Sequence, residues 1–184
     1  MPTDLSFAEA VDFLKADNEA VLEGRATRLV WLRRHGEPES GWLLNGGFET
    51  STAFGEAGAC FVNGDFMATI LLVQTVVEHL LGGMIAMYCD DDRAAYRSPY
   101  KTLLSRALNE QFLTTDEYEL FDQLRQARNP HAHPRGVNDR SSLIRRAMDS
   151  GVAIDELIEA DARAALTALV GLLNRPPFAM GAIQ

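Results

Sequence analysis

Apolar residues recur at helical spacing along most of this chain, and that pattern predicts an all-α protein. In residues 6–23 the apolar positions are Phe7, Val11, Leu14 and Val21, and Gly24 is a C-terminal stop signal for this helix. Further helices are predicted over residues 49–63, 65–88, 98–111, 114–129, 139–148 and 154–174. Four or five of the predicted helices are long enough to form a bundle.

The ends of several helices carry recognisable signals. Thr114 and Glu117 have the spacing of a capping box, in which each side chain accepts a hydrogen bond from the backbone N–H of the other residue. Pro130 disfavours a helical residue before it, so we expect the helix to end or kink at Asn129. The other predicted N-caps are Asp65, Ser98 and Asp139.

No repeat, low-complexity tract or linker divides the chain, so we predict one main domain. Residues 1–45 form an N-terminal extension, in which the first helix is followed by the short apolar runs Leu29–Leu32 and Trp42–Leu44. These runs fit a small hairpin or an ordered loop equally well. The helical bundle then occupies residues 46–175, and residues 176–184 are a tail.

The longest apolar run, Phe66–Tyr88, is long enough to raise the question of a membrane span. Its middle contains Gln74, Glu78 and His79, and a carboxylate at the centre of a bilayer is costly. We therefore predict a buried central helix of a soluble bundle. The N-terminus lacks the pattern of a signal peptide, and two cysteines are too few for a disulfide framework, so we expect a reduced, cytoplasmic protein.

The charge of the chain is strongly acidic overall but uneven along its length. The 184 residues carry a formal net charge of −9, which disfavours a general nucleic-acid coat. Residues 125–146, however, contain six arginines and one aspartate, a local charge of +5, so the rest of the chain carries −14. This distribution is compatible with a narrow basic strip on a surface that otherwise repels phosphate.

The residues most suited to chemistry lie in this basic segment. Arg128 closes a mostly apolar stripe of its helix, and a buried guanidinium requires an anionic or carbonyl partner. Together Arg128, Asn129 and His133 can cleave a phosphodiester without a metal, since arginine binds phosphate and histidine transfers protons near neutral pH. An arginine and a histidine near a helix C-terminus also have a purely structural use, because they can satisfy the last carbonyl groups.

This arrangement resembles the HEPN superfamily, whose Rx4-6H motif is matched by Arg128-Asn129-x-x-x-His133. In that family a polar residue, often Asn, commonly follows the arginine. The order of helices is also similar, with a helix around Glu56, a short turn at residues 63–65 and a long central helix that carries Glu78. The resemblance covers residues 49–174 and leaves the first 45 residues unexplained.

The resemblance implies a HEPN-like helical bundle that forms a homodimer, with the motifs of two protomers facing each other across a shared cleft. Many such proteins are metal-independent endoribonucleases that leave 2′,3′-cyclic phosphate ends, often as toxins or anti-phage defence effectors. On that basis His133 is the general acid and base, Arg128 binds the scissile phosphate, and Asn129 orients the phosphate or His133. Substrate-binding positions are then expected at His131, Arg135, Arg125 and Glu78.

Two other classes of function fit a helical bundle of this kind. Some HEPN-like proteins are non-catalytic modules for dimerisation or binding that act with a partner protein, and an antitoxin is one such partner for a toxin. A small-molecule-binding helical regulator is a further class, for which the ligand would occupy the bundle core. RNA is the expected ligand of the enzyme, and no cofactor is expected.

A metal site and a role for Glu78 are the remaining candidates. His131 and His133 form an HxH pair, but Asp139 is the only carboxylate or thiol ligand close to them in sequence, so we expect no metal. The central helix has a small or polar sector made of Gln74, Thr75, Glu78 and Gly82. This sector is either a face for close helix packing or the place where Glu78 pairs with Arg128 or faces the cleft.

Overall fold

The computed structural model describes residues 5–36, 41–89, 95, 97–132, 139 and 142–179, and for residues 129–132 it describes the backbone alone. These residues contain seven helices and no β-strand, so the predicted all-α bundle is confirmed. In chain order the helices are α1 (Phe7–His35), α2 (Phe48–Asn63), α3 (Phe66–Tyr88), α4 (Tyr100–Asn109), α5 (Thr115–Ala132), α6 (Leu143–Ser150) and α7 (Ile154–Leu173).

The central element is α3, which packs against α2, α4, α5 and α7. Apolar residues cover most of its circumference, and Val76, Val77, Leu80 and Leu81 are fully buried. By length and composition α3 could cross a membrane, but 67% of its most apolar stretch is buried inside the protein. The helix therefore forms the core of the bundle, as the sequence predicts.

The first helix, α1, is continuous over 29 residues, so the predicted stop at Gly24 is wrong. It begins with a reciprocal capping box between Ser6 and Glu9. A glycine inside a helix costs about 1 kcal/mol relative to alanine. Packing of Trp31 and Leu32 against the core offsets that cost, because it stabilises the helix beyond the glycine.

Residues 41–47 form an irregular segment that crosses to the C-terminal end of α7. Trp42 makes an isolated antiparallel bridge with Ala179, and the backbone N–H of Leu43 donates to the carbonyl of Phe178 at 2.7 Å. The indole N–H of Trp42 also donates to Asn174 Oδ1 at 2.8 Å. The hairpin interpretation is therefore wrong, since Leu29–Leu32 lies in α1 and this ordered loop pairs with the C-terminal turn.

Several helix caps differ from the predicted ones. Asp65 occupies the N-cap position of α3, but its side chain makes no capping hydrogen bond. The N-cap of α4 is Pro99 instead of Ser98. The N-cap of α6 is Ser142 instead of Asp139, and the Ser142 hydroxyl accepts a hydrogen bond from the first turn. Ser142 directly precedes that turn and can reach its N–H groups, whereas Asp139 is further away along the chain.

The capping box of α5 forms as predicted, and an arginine ties it to the end of α7. The backbone N–H of Thr114 donates to the Glu117 carboxylate at 2.7 Å, and the N–H of Glu117 donates to the Thr114 hydroxyl at 3.3 Å. Arg175 donates to both carboxylate oxygens of Glu117, at 2.5 and 2.7 Å, and also to the carbonyl of Phe112. The start of α5 is therefore fixed to the C-terminal turn.

We expect this contact to make the fold sensitive to acid. Partial burial raises the pKa of Glu117, but the hydrogen bonds from Arg175 and Thr114 outweigh burial and hold the pKa below its ordinary value of 4.5. Stability from a depressed pKa is present above the unfolded value and is lost as the pH falls through the folded value.

The free energy of unfolding of the wild-type chain should therefore decrease below pH 4.5 more steeply than that of Glu117→Gln. Urea denaturation at a series of pH values between about 3 and 7 measures this difference. Parallel profiles for the two chains would contradict the expectation.

Candidate functional site

The described part of the predicted motif lies at the C-terminal end of α5, which packs against α3, α4 and α7. Arg125 and Arg128 are in this helix, and both are half-buried. The helix continues to Ala132, so the predicted end at Asn129 is wrong. Pro130 is close to the last helical residue, where its missing N–H removes one hydrogen bond and little of the helix remains to be disturbed.

The other motif residues lie at the edge of the described chain or beyond it. Asn129 and His131 have helical backbone, and their side chains are outside the description. His133 and Arg135 lie outside the described residues. The structure therefore places Arg125 and Arg128, while the roles assigned to the other four residues stay predictions.

Four of the six arginines in the basic segment are described, and three of these four pair with carboxylates. The pairs are Arg125–Asp122 at 2.7 Å, Arg145–Asp149 at 3.0 Å and Arg146–Asp161 at 2.6 Å. Carboxylates this close neutralise much of the positive charge of these three arginines. The described part of the basic strip is therefore less positive than the sequence suggests. Arg128 is the exception, because no carboxylate of the described residues pairs with it.

Arg128 lines a small cavity between α3, α4, α5 and α7. Its Nε atom is buried and has no hydrogen-bond partner among the described residues, and Oε1 of Gln74 in the same cavity lining is in the same situation. One atom is a donor and the other an acceptor, and the space admits about one water molecule. Each such atom in a native fold requires a partner, and none of the described residues supplies one here.

Tyr100 and Glu78 complete the polar cluster at this cavity. Glu78 accepts a hydrogen bond from Nε2 of Gln74 at 2.7 Å. Burial raises the pKa of the Tyr100 hydroxyl well above its usual range, the charge of Glu78 raises it further, and Arg125 and Arg128 oppose the rise. Tyr100 therefore stays protonated and available as a hydrogen-bond donor.

The predicted pairing of Glu78 with Arg128 does not occur among the described contacts. Glu78 instead binds Gln74, and the charges of Glu78 and Arg128 both act on Tyr100. The sequence therefore identified two charged members of the cluster but not Tyr100, on which both charges act. Tyr100 directly follows Pro99 at the start of α4, and no motif distinguishes it from any other buried aromatic residue.

The described residues contain no group of three or more His, Cys, Asp or Glu side chains that could hold a metal ion. The HxH pair of His131 and His133 falls outside this observation, because the side chain of the first and the whole of the second are not described. The described cluster holds a cation, an amide and a phenol, which can bind an anion through charge and hydrogen bonds. It also holds the Glu78 carboxylate, which accepts a hydrogen bond from Gln74 and whose charge opposes an anion.

Comparison with known proteins finds no protein family, no curated protein and no solved structure that matches this chain.

Proposed function

We propose that the chain is a metal-independent endoribonuclease of the HEPN type, with Arg128 as the ligand of the scissile phosphate. One observation carries the proposal: among the described residues, the buried Nε atom of the half-buried Arg128 has no hydrogen-bond partner and no carboxylate pairs with this arginine. The three other described arginines of the basic segment are all paired with carboxylates. A partly desolvated cation without a counter-ion is unfavourable unless an anion arrives. An RNA phosphate is such an anion.

The reaction needs few groups. The ribose 2′-oxygen attacks the adjacent phosphorus, the bond to the 5′-oxygen breaks, and the products are a 2′,3′-cyclic phosphate and a 5′-hydroxyl end. His133 takes the proton of the 2′-hydroxyl or supplies the proton of the leaving oxygen. Arg128 stabilises the negative charge that develops on the phosphate oxygens, and Asn129 orients the phosphate or His133.

Tyr100 and Gln74 support Arg128 in this proposal. Gln74 is buried, accepts no hydrogen bond at Oε1 from the described residues, and lines the same cavity as the guanidinium. A water that accepts from Arg128 Nε and donates to Gln74 Oε1 would leave the other guanidinium N–H groups for phosphate. Tyr100 lines the same cavity, and because its hydroxyl stays protonated it adds no negative charge to that of Glu78.

A second candidate function is a non-catalytic binding module that acts with a partner protein. The observation that favours it is the size of the cavity at Arg128, which admits about one water and no nucleotide. An enzyme with this geometry binds RNA at the surface of the cluster, and the predicted dimer brings a second motif to the same phosphate. A binding module does not need to place a phosphate between two motifs.

Incubation of the purified chain with structured RNA in excess EDTA tests the proposal. We expect cleavage to continue without divalent metal, and we expect the new 3′ ends to carry cyclic phosphate, detected by mass spectrometry of the fragments. Absence of cleavage would contradict the enzyme and favour the binding module, whereas cleavage that stops with EDTA would contradict the metal-independent mechanism. The expected location is the cytoplasm, and the role as a toxin or defence effector follows from the HEPN resemblance.

A further inference from the structure

The first part of α1 is an exposed helical arm, which we define as residues 7–23. No described residue of α1 is buried, and large apolar side chains of the arm face solvent. Phe7 is 87% exposed, Phe13 61%, and Leu14 63%. At 1.5 Å per residue the arm is about 26 Å long. Exposed apolar surface on this scale marks an interaction site.

An open, mostly apolar groove lies beside the second half of α1, and we call it the α1–α2 groove. It is bordered by α1, α2 and α7 and has a volume of about 480 Å³. Gly55, Gly58 and Ala59 of α2 line it, and their small side chains leave room for apolar groups from outside. Arg25 and Arg33 belong to the described lining, which includes no acidic residue.

The arm and the groove have opposite charges. The arm contains five acidic residues and one lysine, a net charge of −4. Residues 24–35 contain four arginines and no acid, a net charge of +4, and two of these arginines, Arg25 and Arg33, line the groove. Two α1 helices that meet in antiparallel orientation therefore place the acidic half of each against the basic half of the other. In a twofold dimer this attraction occurs twice.

The arm cannot occupy the groove of its own chain, because α1 is one continuous helix and its second half forms one wall of that groove. We infer that the arm of one chain docks in the α1–α2 groove of a second copy, which returns the same contact. Both surfaces are then covered, and the assembly closes as a dimer.

This contact lies apart from the Arg128 site, and the arm is outside the residues that the HEPN resemblance covers. The inference therefore stands whether or not the chain cleaves RNA. The shared cleft expected for RNA cleavage requires the two Arg128 sites to face each other, which is a separate condition on the same dimer.

A charge-swap experiment tests the exchange of arms. The arm variant Asp12→Arg/Asp17→Arg and the groove variant Arg25→Glu/Arg33→Glu are made in the full chain. Analytical ultracentrifugation gives the dimer Kd of each, and we expect both to dimerise at least about tenfold more weakly than the wild type. An equimolar mixture should dimerise more tightly than either variant alone, because one contact of the mixed dimer is the wild-type one. In the other contact, an arm whose net charge has changed from −4 to 0 meets a groove whose described lining has become acidic.

A single substitution keeps the test independent of changes to the groove. Leu14→Asp alters an exposed residue of the arm and should also weaken the dimer at least about tenfold. Met148→Asp is the matched control, since Met148 is 72% exposed on α6 and lies away from both surfaces. A monomeric wild-type chain, an unchanged Kd for Leu14→Asp, or no recovery in the mixture of two folded variants would each overturn the inference. Circular dichroism verifies the folding of every variant.

Discussion

The Arg128→Ala variant is expected to cleave RNA about 10²–10³-fold more slowly than the wild-type chain, because it removes one preorganised donor to the developing charge. The loss should appear mainly in the cleavage step, measured as a single-turnover rate in EDTA at saturating protein. Arg128→Lys keeps the charge but loses the planar fork, so we expect it to recover only part of the rate. His133→Ala should lose about 10²–10⁴-fold, the contribution typical of a general acid or base.

The stability of Arg128→Ala separates a functional arginine from a structural one. If Arg128 satisfied the last carbonyl groups of α5, its removal would lower the free energy of unfolding by about 1 kcal/mol. If it is instead held without a counter-ion for an arriving phosphate, its removal should leave stability unchanged or raise it. Urea denaturation decides between these outcomes, alongside the rate measurement.

Arg145→Ala is the matched control for the activity assay. Arg145 lies in the same basic segment but pairs with Asp149 at 3.0 Å on the exposed side of α6, so we expect its cleavage rate to stay within about twofold of the wild type. Equal losses for Arg145→Ala and Arg128→Ala would indicate general electrostatic attraction of RNA and not a defined phosphate site. Wild-type rates for both variants would indicate a contaminating nuclease.

The parts of the fold that depend on local pattern were predictable from the sequence. The run at residues 66–88 is apolar around most of the helix, a pattern typical of a buried helix, and α3 is indeed the buried centre of the bundle. Thr114 and Glu117 form their capping box because its partners are three residues apart and need no tertiary contact. The end of α1 was not predictable in this way, because Gly24 is a local stop signal and the packing of Trp31 against a distant part of the chain overrides it.

The same distinction applies to the candidate site. Arg128 was identifiable because it terminates an apolar stripe within one helix, which is a local property. The cluster around it was not, because Gln74, Tyr100 and Arg128 lie on three helices that only the folded bundle brings together. The pairing of Arg146 with Asp161 is also non-local, since the two residues lie on different helices. The sequence does not reveal this pair, so from the sequence alone the basic segment appears more positive than it is.

The largest effect on stability is expected at Phe61, where four helices meet. Phe61 of α2 is fully buried, and its ring centroid lies 5.0 Å from that of Trp31 in α1 and 6.0 Å from that of Phe66 in α3. The guanidinium of Arg163 in α7 lies 5.3 Å from the Phe61 ring and 4.8 Å from that of Trp31. This cluster attaches the second half of α1 to the bundle, and so it fixes the wall of the α1–α2 groove.

Phe61→Ala should therefore lower the free energy of unfolding by about 3–5 kcal/mol, since it leaves a cavity and removes the aromatic contacts together. A domain of this size is stable by about 5–15 kcal/mol, so the variant should fold but unfold at much lower urea concentration. Phe48→Ala is the control, because Phe48 is 82% exposed and its removal should change stability by less than about 0.5 kcal/mol. Amide hydrogen exchange near Trp31 should also accelerate in Phe61→Ala; unchanged exchange there would show that α1 is attached to the bundle by other contacts.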